Sequence, residues 1–259
     1  MGPAADRRAG ARVLAAALVA AASLAACSSG SKEAASSTSS GSDRLPQGSE
    51  TVRLDPGEFT VDITNKYWPM KPGQTLVYDE KDGEGTMTHD VVTVLDKTDT
   101  IDGIEARVVH DVATRNGQTI EDTTDWYAQD SKGNLWYLGE QTAEYENGVV
   151  TSTHGTWTAG KDGAQAGILL PAEPQAGMQY RQEYLKGEAE DRAIILSTDE
   201  KAQTPSGNYE GALLTRDTTP LEPDLVELKW YVPGVGPVLT ITPSGENSRE
   251  QLVQAPSGG

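Results

Sequence analysis

WYAQDSKGNLWYLGE, residues 126–140, sets two Trp-Tyr pairs on either side of a short polar segment that contains a glycine. If Asp130-Ser131-Lys132-Gly133 is a type I turn with Gly133 left-handed, Asp130 pairs with Asn134 and the register follows. Ala128 then lies opposite Trp136, Tyr127 opposite Tyr137 and Trp126 opposite Leu138. One strand face carries Trp126, Ala128, Trp136 and Leu138 and is expected to be core, a small alanine meeting a large indole. The other carries Asp125, Tyr127, Gln129 and Tyr137, which form either a ligand-binding surface or a second, smaller packing layer. A two-residue turn at Asn147-Gly148 would place Trp157 opposite Leu138, adding a third indole to the first face.

The same turn chemistry recurs on both sides of this hairpin. Asp102-Gly103, Asn116-Gly117 and Asn147-Gly148 are flanked by β-branched or alternating residues such as IEARVVHDVA (104–113) and VVTST (149–153). Asn-Gly and Asp-Gly suit the positive-φ positions of tight hairpins. Few helical patterns follow the N-terminus, so the spacing predicts an antiparallel meander over 76–157.

The chain also repeats itself at offsets of about 102 to 106 residues. WPMKPGQTLVY (68–78) parallels LPAEPQAGMQY (170–180), and VVTVLD (91–96) parallels AIILSTD (193–199). EARVVHD (105–111) parallels EGALLTRD (210–217), and TDWYAQ (124–129) parallels LKWYVP (228–233). The expected fold is therefore all-β: an antiparallel meander of two tandem similar β units, 59–158 and 170–255, joined by a loop at 159–169. The units would form a curved sheet, roll or sandwich.

The N-terminus places this body outside the cytoplasm. Arg7, Arg8 and Arg12 precede an Ala/Leu/Val run too short to span a bilayer, as in a secretory signal over residues 1–26. The run ends in Leu24-Ala25-Ala26-Cys27, which resembles the lipobox of bacterial lipoproteins. That resemblance implies cleavage before Cys27 and a diacylglyceryl thioether on it. The protein is then held on the extracytoplasmic face of the cell membrane. Cys27 is the one cysteine, so no disulfide is available to the body. Residues 27–58, rich in Ser and Gly, read as the lipidated cysteine and a flexible tether with a reach of roughly 30 Å.

The formal net charge is -18; removing Asp6 and the three arginines of the signal, net +2, leaves -20. Such a body is repelled by nucleic acid and by anionic headgroups, so the lipid must do the anchoring. Familiar catalytic signatures are missing: the three histidines, His89, His110 and His154, make no H-E-x-x-H, and no G-x-S-x-G occurs. Gly155 to Asp162 falls one residue short of a phosphate loop, with Asp162 where a hydroxyl would bind Mg²⁺.

The acids of EYLKGEAED (183–191) are more suggestive. A turn at Lys186-Gly187 would set Glu183 opposite Glu190 and Gln182 opposite Asp191. Glu183, Glu188, Glu190 and Asp191 could then form an all-oxygen site for Ca²⁺. Alternatively, Lys186, Arg181 and Arg192 screen them on a solvated face.

FTVDITNKYWPMKPG (59–73), the WYAQDSKGNLWY hairpin and WYVPGVGPV (230–238) together resemble a group of bacterial secreted proteins and lipoproteins, over most of residues 59–253. The resemblance implies extracellular location and β architecture, and supplies no catalytic residues. The functional expectation is a lipid-anchored binding or interaction protein whose partner is an envelope protein, a glycan or a small molecule. A carboxylate-based extracellular hydrolase and an envelope lipid carrier are the alternatives, the carrier being poorly served by a single Phe and 36% hydrophobic residues.

Overall fold

Three of the hairpins turn where the sequence places them. Asp102, Asn116 and Asn147 take φ of 48°, 52° and 53°, each followed by a left-handed glycine. In the fourth, the Asp130 carboxylate accepts from the backbone N–H groups of Lys132 at 3.0 Å and Asn134 at 2.8 Å, and from the Trp136 indole at 2.9 Å. The computed structural model describes residues 44–244 and 247–256. The signal, Cys27 and most of the expected tether lie outside the described residues.

The strands are Phe59–Thr60 (β1), Thr75–Lys81 (β2), Met87–Ile101 (β3), Ile104–Arg115 (β4), Gln118–Asp130 (β5), Leu135–Glu146 (β6), Val149–Ser152 (β7) and Trp157–Thr158 (β8). There follow Gln165–Leu170 (β9), Gln179–Arg181 (β10), Glu183–Tyr184 (β11), Arg192–Thr204 (β12), Gly207–Thr218 (β13), Val226–Val232 (β14), Gly236–Thr242 (β15) and Ser248–Gln254 (β16). All sixteen join one antiparallel sheet, with the path β10-β12-β13-β14-β15-β16-β2-β3-β4-β5-β6-β9-β11. The order repeats: β2-β3-β4-β5-β6 in the first half corresponds to β10-β12-β13-β14-β15 in the second. Trp126 and Trp230 occupy the fourth strand of each run, and each directly precedes a register shift against the next strand. The two units share one continuous hydrophobic cluster.

The path ends on consecutive pieces of chain. β10 pairs with β12 and, one residue later, β11 pairs with β9, so the segment 179–184 leaves one end of the sheet and joins the other. This bends the sheet into a nearly closed barrel. Gly167 on β9 permits the closure: a Cβ there would lie 2.3 Å from the carbonyl carbon and oxygen of Gln182. On the opposite side the halves are joined by β16 and β2, with Leu252 opposite Tyr78.

The central hairpin keeps Ala128 opposite Trp136 and Tyr127 opposite Tyr137, but Trp126 meets Gly139, not Leu138. Leu138 is the extra residue of a bulge. A side chain on Gly139 would come within 2.9 Å of the Trp157 carbonyl and 3.2 Å of the Trp126 ring, so the glycine makes room for both. The bulge also moves Trp157, which pairs with Glu140. Its indole meets Tyr137 edge-on at 5.2 Å, on the opposite face from the one expected.

The two faces exchange roles. The Asp125, Tyr127 and Tyr137 face is the barrel interior, and the half-buried Trp126 looks outward, its Nε1 donating to Asp99 at 3.2 Å. Ala128, Trp136 and Leu138 are buried nonetheless. Over them lies the strand β1, paired with β5, whose Phe59 meets Trp136 edge-on at 6.0 Å. Residues 44–58, within the stretch expected to be a tether, are seated on the body. Arg181, only 1% exposed, donates its backbone N–H to Pro46 O and its guanidinium to the carbonyls of Gly48 and Glu50.

Candidate functional site

Alternation along each strand sends every second residue into the barrel, and in this chain those residues are unusually acidic. Tyr78 and Glu80 enter from β2, Glu121, Thr123, Asp125 and Tyr127 from β5, and Glu227, Lys229 and Tyr231 from β14. They line a cavity of about 250 Å³. Ten of its twenty-three lining residues are Asp or Glu, and Lys229 is the one Lys or Arg among them. A buried carboxylate among them is costly in a low-dielectric interior unless hydrogen bonds, a proton or a cation offset it.

Tyr137 organises one pair of carboxyls. Its hydroxyl lies 2.5 Å from Asp125 Oδ1 and 2.8 Å from Glu140 Oε2, all three side chains being buried. A phenol has one proton to donate, so two simultaneous hydrogen bonds need one carboxyl to be protonated and to donate to the phenol oxygen. The electrostatics agree. Burial raises Asp125 to about 7, against the lowering effect of the Tyr137 hydrogen bond and with a further rise from Asp90. Glu140 is pushed well above the usual carboxylate range by burial and then by the Asp125 charge. Tyr127 stacks on Tyr137 at 4.8 Å and 16°, so each ring gives one π face to the other.

A second pair comes from the closing segment. Glu183 is 1% exposed, and neither of its carboxylate oxygens meets a donor in full hydrogen-bonding geometry, the Trp157 indole N–H beside it being likewise unsatisfied. The Glu183 pKa is raised by burial, then by Asp191 and Glu140, and is only partly drawn back by the neighbouring Trp157 indole. Asp191 is raised to about 7 by burial, despite the attraction of Lys229. A third group is already neutralised in part. Lys229 Nζ lies 2.9 Å from Glu227 Oε2 and 3.3 Å from Asp217 Oδ2. Burial alone would lower the Lys229 pKa, but those two charges outweigh it and hold the ammonium protonated.

Trp68 completes the wall. The segment ahead of β2 is pinned by Gln129, whose side chain binds the Thr64 backbone N–H at 2.8 Å and its hydroxyl at 3.1 Å, and by the Asn65 amide, which donates to Gly133 O at 3.1 Å. This places the Trp68 ring 5.9 Å from Tyr127, against Gly236.

Of the residues singled out in the sequence, Asp125, Tyr127 and Tyr137 line the cavity, while Gln129 serves the docking of residues 64 and 65. The acidic cluster is divided. Its turn runs through Lys186, Gly187 and Glu188, closed by mutual hydrogen bonds of Leu185 and Ala189, so Glu183 does not face Glu190. Glu183 and Asp191 enter the cavity. Glu190 caps its own turn by accepting from Gly187 N at 2.9 Å, and Glu188 meets His154 Nδ1 at 3.2 Å. Among the described residues, no three His, Cys, Asp or Glu side chains gather in a geometry that could hold a metal ion. Glu140 and Glu227 went unnoticed in the sequence. The alternation of E-x-K-x-Y at 227–231, like that of E-x-T-x-D-x-Y at 121–127, was the available signal for Glu227, whereas the bulge at Leu138 breaks the alternation that would have linked Glu140 to Tyr137.

No family model matches the chain, and no curated protein matches it. Among solved structures it is similar to a Bacteroides fragilis protein described as exported and of YmcC-like fold. The two share 14% identity over 74% of this chain and 99% of that one, with a TM-score of 0.45. A Parabacteroides distasonis protein described as a lipoprotein is also similar, at 14% identity over 74% of this chain and 98% of that one, with a TM-score of 0.41.

Proposed function

We propose that the chain is a lipid-anchored binding protein of the extracytoplasmic membrane face, and that its ligand is a cation taken into the barrel. The anchor rests on the leader and on Leu24-Ala25-Ala26-Cys27. The observation that carries the ligand is Glu183: a carboxylate lining the cavity, almost wholly buried, with neither oxygen in a formed hydrogen bond and the Trp157 indole as a neighbouring donor. An unpaired buried carboxylate either holds a proton or awaits a positive partner, and a partner recovers most of the desolvation cost. The strongly negative body adds to this by concentrating cations around the barrel. A cavity walled by carboxyls is unsuited to acyl chains, which sets this reading apart from a lipid carrier.

The test is thermal unfolding of the full chain and of Glu183→Gln in NaCl, CaCl₂ and 1,4-diaminobutane dihydrochloride at matched ionic strength. A cation bound in the cavity raises the midpoint beyond the NaCl effect in the unmodified chain, and Glu183→Gln loses most of that increment. An equal response to all three salts overturns the reading and leaves the interior acids simply protonated.

A further inference from the structure

We propose that the cation is an organic diamine of small size, with one primary ammonium held by Asp125 and Glu140 and the other by Glu183 and Asp191. This rests on the cation-binding reading above and gives it a ligand class.

Three features select that chemistry. First, the acids enter the cavity from two parts of the chain. Asp125 and Glu140 meet through the Tyr137 hydroxyl, whereas Glu183 and Asp191 arise from the closing segment and its return. Because no three such groups converge among the described residues, a single metal ion would find no set of three protein ligands. Two charges joined by a short apolar stem meet both pairs at once.

Second, the cavity already shows how it treats an ammonium. Lys229 Nζ sits between Glu227 Oε2 at 2.9 Å and Asp217 Oδ2 at 3.3 Å, an ammonium shared by two carboxylates; between Asp125 and Glu140 the Tyr137 hydroxyl holds the equivalent place, which an incoming ammonium takes over. A primary ammonium has three N–H donors for such a bridge, and a quaternary one has none. The aromatic wall does not compensate for that loss. Tyr127 and Tyr137, two of the lining aromatics, are stacked face to face at 4.8 Å, so each has one π face taken by the other and withheld from a methylated cation.

Third, about 250 Å³ lies below the ~300–1,000 Å³ typical of drug-sized ligands. The apolar lining from Val92, Val109 and Leu169 supplies packing for a few methylenes between the two charged ends.

Isothermal titration calorimetry of the full chain with 1,4-diaminobutane, butylamine, the bis-trimethylammonium analogue of the diamine, and CaCl₂ decides the matter. The diamine is expected to bind once per chain, at least tenfold more tightly than butylamine and than its methylated analogue. Glu183→Gln and, separately, Asp191→Asn are each expected to weaken it tenfold or more. Circular dichroism and unfolding midpoints of both variants verify that the barrel is intact. Equal affinity for diamine and monoamine, or full affinity in both variants, overturns the diamine assignment. Binding of Ca²⁺ but not of the diamine, lost in Glu183→Gln, overturns it while leaving the cation-binding reading standing. No binding of any of the four overturns both.

Discussion

Replacing Asp125 with Asn should make the protein more stable at neutral pH, in spite of removing a buried hydrogen-bonding group. Asp125 moves from an ordinary value of 3.8 in the unfolded chain to about 7 in the fold, burial being the main cause. A carboxyl with a raised folded pKa binds more protons in the native state than in the unfolded one. Native stability therefore falls as pH rises between the unfolded and folded values, and levels off above the latter. At about 1.4 kcal/mol per unit, a shift of roughly three units costs about 4 kcal/mol above pH 7. An amide keeps the shape and its hydrogen bond to the Tyr137 hydroxyl but carries no charge, so that cost disappears. Removing the Asp125 charge also relieves Glu140, whose own rise it helps to cause, so the gain will not be a simple single-site term. Urea unfolding at pH 4 and at pH 8 measures it. We expect Asp125→Asn to match the unmodified chain within about 1 kcal/mol at pH 4 and to exceed it by about 2 to 4 kcal/mol at pH 8. A variant that is less stable at both values, or that keeps the unmodified pH slope, would refute the claim that this carboxyl is buried at a desolvation cost.

Three further expectations concern the anchor and the closure. Cys27→Ala should release the protein from the membrane fraction or leave an unprocessed precursor, seen by fractionation and intact mass; processed, membrane-bound Cys27→Ala would rule out the lipid anchor. Gly167→Ala should destabilise by about 3 kcal/mol or more, because the added Cβ would fall 2.3 Å from backbone atoms of Gln182 that cannot rotate away; a midpoint within error of the unmodified chain would show that the closing segment is loosely held. Arg181→Leu should free residues 44–58 from the body, costing about 2 to 4 kcal/mol through the lost charge-assisted hydrogen bonds. Hydrogen exchange at Gln47, Gly48 and Glu50 would reveal it, and unchanged protection would refute it.

The hairpins, the repeat and the all-β class were legible in the residues themselves because each depends on local chemistry. An Asn-Gly or Asp-Gly pair favours one turn geometry wherever it occurs, and Asp130 ties its own turn with a side chain two to six residues from its partners. Alternation likewise assigned Asp125, Tyr127 and Tyr137 to one side of their strands. What it left open was which side was inside. A strand with indoles on one face and a Tyr pair beside an Asp on the other offers two plausible cores. The choice was made by Phe59, covering the outer face, and by β16 meeting β2 across most of the chain. The bulge at Leu138 was hidden for the same reason: it depends on the backbone of Trp157 lying against Gly139. The candidate site was least legible, since its carboxyls are scattered between Glu80 and Glu250 and each, taken alone, reads as a solvated acid. Only closure of the sheet through residues 179–184 puts them around one volume, where desolvation raises the pKa of Asp125, Glu140, Glu183 and Asp191 together.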